Sequence, residues 1–83
     1  MRTVEITREP VELYKILKFE GMVGSGGEAK MVIDEGYVLV NGEVETRRRK
    51  KIVSGDIIEF GDETIRILFL KPTPWQTSNE TRK

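Results

Sequence analysis

Five consecutive cations, Arg47-Arg48-Arg49-Lys50-Lys51, are the densest chemical feature of the sequence. Such a run is too costly to bury, so it must stand in solvent or against an anion. Arginine forks match paired phosphate oxygens and lysines act as mobile point charges, a mixture that gives affinity and register on a phosphate backbone rather than base identity. A solvated connecting loop is the competing reading, and residue chemistry alone leaves the two balanced. Net charge is zero over the 83 residues, but it is unevenly spread. Residues 1–46 carry 5 basic and 9 acidic side chains, a net of −4, whereas residues 47–83 carry 9 basic and 5 acidic, a net of +4. This asymmetry bears on partners more directly than the total does.

Little else in the sequence offers chemistry. The absence of cysteine removes disulfides, thiolate metal sites and thiol nucleophiles, and the absence of histidine removes the usual metal ligand and proton shuttle. The acidic pairs Asp34-Glu35 and Asp62-Glu63 fall at an expected helix end and turn and read as solvated, and Ser25 lacks an evident general base. The expectation is therefore no enzyme, no metal, no cofactor and no small-molecule substrate. No apolar stretch approaches the roughly 20 residues of a membrane helix, and residues 1–10 lack the apolar core of a secretory signal. A soluble, monomeric, cytoplasmic protein is expected.

The elements that must position the cations can be read from periodicity and punctuation. Residues 3–6 predict a strand, and residues 11–20 a helix, with Pro10 ahead, Gly21 behind, and Leu13, Ile16 and Leu17 on one face. Lys15 and Lys18, three apart, lie opposite that face and must be exposed, which is also ordinary for surface lysines. Ser25-Gly26-Gly27-Glu28 fits a capping box: the Ser25 hydroxyl accepts from the Glu28 amide, and the Glu28 carboxylate reaches back to the Ser25 amide. Capping is the principal role expected of Ser25, with phosphate contact at the free amides of the helix start a secondary one. The second helix buries Ala29, Val32 and Ile33 and stops at Gly36. Strands are predicted at residues 37–40 and 43–46 around the turn Asn41-Gly42, then at 52–53, 57–60 and 64–70, with turns at Ser54-Gly55-Asp56 and Gly61-Asp62. Tyr14, Phe19, Tyr37, Phe60 and Phe69 mostly fall at expected core positions. Residues 1–71 make one domain, with residues 72–83 a polar tail expected to be mobile unless Trp75 folds back on the body.

Two helices, the second opened by Ser25, then Gly36-Tyr37-Val38-Leu39-Val40-Asn41-Gly42 and Gly55-Asp56, resemble the S-four domain, an RNA-binding module also called the alpha-L motif. The resemblance covers residues 11–60. Ser25-Gly26-Gly27-Glu28-Ala29-Lys30 and Val44-Glu45-Thr46-Arg47-Arg48 look like the stand-alone bacterial members. It implies an α+β fold with two packed short helices on a small, mainly antiparallel sheet. It also implies that structured RNA, of ribosomal or transfer type, meets a face built from Lys15, Lys18, Ser25, Lys30, Arg47, Arg48, Arg49, Lys50 and Lys51. Larger members usually carry arginine near the start of the first helix and directly after the capping serine. Here Glu12 or Leu13 and Gly26 stand there, so the tract should carry more of the binding. The alternative is a protein-binding module docking the tract on an acidic partner or ribosomal protein, since charge alone does not distinguish polyanions.

Overall fold

Two apolar stripes of identical spacing organise the molecule. Leu13, Ile16 and Leu17 on α1 (Leu13–Phe19) and Ala29, Val32 and Ile33 on α2 (Gly26–Asp34) are all buried, and the two helices pack on each other. In the computed structural model, which describes residues 1–70, the remaining elements are strands. They are β1 (Arg2–Ile6), β2 (Val11–Glu12), β3 (Val38–Val40), β4 (Glu43–Val44), β5 (Lys51–Ile52), β6 (Ile57–Phe60) and β7 (Glu63–Phe69).

The main sheet has the order β1-β7-β6-β3-β4 and is antiparallel except at one edge, where β1 runs parallel to β7 from Arg2 opposite Ile65 to Ile6 opposite Phe69. β2 and β5 form a separate antiparallel pair, Val11 opposite Ile52 and Glu12 opposite Lys51. Alternating strand positions supply the other wall of the core: Val38 and Val40, Ile58, and Ile65 and Ile67 are buried, as are Val4 and Ile52. Burial of each such large aliphatic side chain stabilises the fold by about 1.5–3 kcal/mol. The result is the α+β arrangement of two short helices on a mainly antiparallel sheet that the sequence predicts.

Local punctuation is seen where the sequence places it. The Ser25 hydroxyl accepts from the Glu28 amide at 3.1 Å, Gly36 at φ +84° follows α2, and Asn41 (φ +55°) with Gly42 (φ +86°) turns the β3–β4 hairpin. Several details differ. The Glu28 carboxylate accepts from the Gly24 amide at 2.8 Å, not from that of Ser25. The first helix starts at Leu13, because Val11 and Glu12 are drawn into the ladder with β5. The predicted strand at residues 43–46 is regular only over Glu43–Val44, with one further bond from the Glu45 amide to the Val38 carbonyl at 2.9 Å. None of the five core-assigned aromatics is fully buried: Phe19 and Tyr37 are 68% and 63% exposed, and Tyr14 and Phe60 only flank a core made of aliphatic side chains. Apolar spacing along a helix or strand selects a face, but a bulky ring at its margin remains at the surface. Trp75 and the expected tail lie outside the described residues.

Candidate nucleic-acid interface

The cationic tract is held by the first helix. The opening amides of a helix lack partners within it, and Glu12, at the start of α1, provides no side-chain cap. Instead the Leu13 amide donates to the Lys50 carbonyl at 2.9 Å and the Tyr14 amide to the Arg48 carbonyl at 3.1 Å. Between those anchors the Lys50 amide donates to the Arg47 carbonyl at 3.2 Å, closing a turn, and Lys51 enters β5. Cations adjacent in sequence are therefore fanned out in space.

Their surroundings differ. The Arg48 guanidinium forks onto Asp34 at the end of α2, with Nε to Oδ1 at 3.2 Å and Nη2 to Oδ2 at 2.9 Å. Asp34, read as solvated from the sequence, is thus a partner of the tract. Arg47 donates to Glu45 through its amide and Nε, both at 2.9 Å, and through Nη2 at 3.2 Å. This fork holds the Glu45 carboxyl below the usual carboxylate range, and the carboxylate in turn raises the arginine. Arg49, Lys50 and Lys51 make no salt bridge among the described residues. Lys50 borders a small hollow with Arg47, Glu45 and Asn41, whereas Lys51 faces the opposite side, next to Lys15 and Arg8.

On the helices, Tyr14 connects the lysines. The Lys30 ammonium lies 4.9 Å from its ring centroid and that of Lys15 6.0 Å away, the former well within cation–π range. Lys15 is also 3.8 Å from Glu12. The stem of Lys18 passes the start of α2, where a Cβ on Gly26 would sit 3.9 Å from its Cδ. Ser25 caps this same start, and its hydroxyl is occupied by the Glu28 amide. Lys18 and Ser25 thus lie together at the start of α2, Lys30 reaches Tyr14 at the start of α1, and Arg48 is joined to the far end of α2 through Asp34. Lys15 and Lys51 both line an open groove beside α1.

A lock downstream fixes the rest. Asn41 donates through Nδ2 to Asp56 at 3.0 Å and accepts from the Ile57 amide at 2.9 Å, while Asp56 also accepts from the Val53 amide at 3.0 Å. The hairpin turn is thereby pinned to the loop following β5. Sequence reasoning treated Asn41 and Asp56 as turn formers only, and it missed Tyr14, Asp34 and Glu45 as neighbours of the cations. One of these had a signal: Glu45 is two residues before Arg47.

Comparison with known proteins bears on this arrangement. The S4 domain family matches residues 4–68. YbcJ of Escherichia coli (strain K12) is 44% identical over 69 residues, covering 82% of this chain and 99% of YbcJ. RlbA of Bacillus subtilis (strain 168), which carries the name of a ribosome maturation protein, is 39% identical over 57 residues, 69% of this chain and 80% of RlbA. The solution structure of YbcJ, described as having an alpha-L motif involved in RNA binding, superposes with a TM-score of 0.64 at 43% identity, covering 82% of this chain and 87% of that one. The 30S ribosomal protein S4e of Thermoplasma acidophilum shares the fold, with a TM-score of 0.62 at 21% identity over 87% of this chain and 42% of its own. The family match takes in both helices, the tract and the strands that anchor it, and the identity to YbcJ extends over nearly that protein's whole length: this chain belongs to the S4 domain family.

Proposed function

We propose that the protein is a non-catalytic RNA-binding module that grips structured RNA, of ribosomal or transfer type, mainly through its phosphates. The contacts are assigned to Lys15, Lys18, Ser25, Lys30 and the five cations of residues 47–51, on a single domain ending near residue 71. The observation that carries this reading is the capping of α1 by the tract's own carbonyls, Leu13 to Lys50 at 2.9 Å and Tyr14 to Arg48 at 3.1 Å. A merely solvated loop needs no such anchorage, whereas a phosphate clamp gains from having its cations ordered before binding. The RNA-binding motif of YbcJ and the ribosome-maturation name of RlbA support the choice of polyanion.

The test is replacement of Arg47, Arg48 and Arg49 together by alanine, with binding to a structured RNA followed by fluorescence anisotropy over a salt series. Affinity should fall at least tenfold, and log K should become less steep in log salt by about 0.9 for each phosphate contact removed. Affinity equal to that of the unmodified protein would overturn the reading. Retention of an acidic protein partner with no shift of RNA at low salt would instead favour the protein-docking role.

A further inference from the structure

A second feature adjoins the tract on the side away from the β3–β4 hairpin. An open groove of about 640 Å³ runs between α1 and the segment joining β1 to β2, a volume within the roughly 300–1,000 Å³ of small-ligand sites. Ile6, Pro10, Val11 and Ile16 supply its apolar lining, and Phe19, 68% exposed at the end of α1, stands beside them. An aromatic ring left this exposed contributes little to the core, so its presence on the rim calls for another explanation.

The charges around the groove are unequal. Of its three carboxylates, Glu12 is matched by Lys15 at 3.8 Å and Glu20 by Arg2 at 3.0 Å, which leaves Glu5 against the two cations Arg8 and Lys51. Lys51 is also the last residue of the tract and stands opposite Glu12 in the β2–β5 ladder, so one cation of the tract is shared with the groove. Lys18 adds a further charge, its ammonium 5.9 Å from the Phe19 ring centroid. Apolar floor, exposed ring and flanking cations are the components with which proteins hold single-stranded nucleic acid: bases stack on the ring while cations follow the backbone.

Resting on the RNA-binding reading above, we infer that this groove seats an unpaired nucleotide leading out of the RNA held by the tract, its base on Phe19 and its phosphates facing Lys51 and Arg8. The preferred RNA is then a helix with a single-stranded extension, not a blunt duplex. Stacking is indifferent to base identity, so the extension is recognised for being unpaired and not for its sequence.

The full chain is tested by fluorescence anisotropy against a blunt RNA hairpin and against the same hairpin with a short uridine extension. The unmodified protein should bind the extended form about tenfold more tightly, the worth of one stacked base. Phe19→Ala should abolish that gain while leaving blunt-hairpin affinity within about twofold, and Phe19→Trp should preserve it. Blunt-hairpin binding reports on the tract and the extension gain on the groove, so the two readings fail separately. No gain in the unmodified protein, or a gain that survives Phe19→Ala, overturns the inference. As a second measurement, a photo-crosslinking amino acid at position 19 should label the uridine extension. Labelling only of residues 71–83 of the same chain, or of a second copy, would assign the groove to that occupant and overturn the inference equally.

Discussion

Arg47 and Arg48 and the three cations after them are consecutive in the chain but stand under different electrostatic conditions. The two arginines close forks on Glu45 and Asp34, whereas Arg49, Lys50 and Lys51 have no such partner among the described residues. A guanidinium already facing a carboxylate projects little field and must exchange that carboxylate for phosphate on binding. An uncompensated cation attracts counterions that RNA can displace. The forks, in return, hold the turn in shape between the hairpin and α2. In the proposed clamp, one half of the tract would thus serve mainly orientation and the other mainly attraction, although the sequence shows a uniform run of positive charge.

The largest expected effect separates those halves. Changing Arg49, Lys50 and Lys51 together to alanine should weaken binding to structured RNA roughly 100-fold at low salt and flatten its salt dependence. Changing Arg47 and Arg48 together should cost under about tenfold, and equal losses in an anisotropy titration would erase the distinction. Next, Asp56→Ala should remove the acceptor shared by Asn41 and the Val53 amide and destabilise the protein by about 1–3 kcal/mol in urea unfolding. RNA affinity should fall a few-fold with it, because the far end of the tract loses its anchor. Smaller still, Asp34→Asn and Glu45→Gln should each raise affinity about two- to five-fold by freeing an arginine, since exposed pairs are worth only about 0–1 kcal/mol to the fold. A fall in affinity in these variants would mean that holding the arginines in place matters more than neutralising them.

The smallest effect is a titration. The Arg47 fork lowers the pKa of Glu45, so the pair's contribution to stability is fully present above the ordinary glutamate value and is lost as pH falls through the lowered one. Carbon-detected NMR should find the Glu45 midpoint below the ordinary glutamate range, and Arg47→Ala should return it there. An ordinary midpoint in the unmodified protein would show that the fork does not persist in solution.

Much of the fold was legible because its signals are short in range. Ser25 caps a helix through an amide three residues on, Gly36 and Asn41-Gly42 satisfy positive φ on their own, and Leu13, Ile16 and Leu17 mark one face of a single helix. The candidate site was legible in composition but not in arrangement. Lys30 and Lys15 meet at Tyr14, and Arg48 meets Asp34 fourteen residues away, contacts that follow from how the two helices and the turn are docked. Phe19 and Tyr37 were misplaced for a related reason: periodicity names the face a ring is on, but not whether a neighbour covers it.

By itself, then, the sequence determined two helical stripes, one between Pro10 and Gly21 and one between Ser25 and Gly36, the Asn41-Gly42 hairpin and a block of positive charge, all specified within a few residues by sterics, capping and period. Only the tertiary structure decided that residues 2–6 pair in parallel with residues 65–69, that Val11 and Glu12 leave the helix for a strand, and that the tract's carbonyls cap α1. Those choices are made by competition among distant partners for the same backbone donors and acceptors. That competition is settled only when the aliphatic core has closed, and with it the direction in which each cation faces.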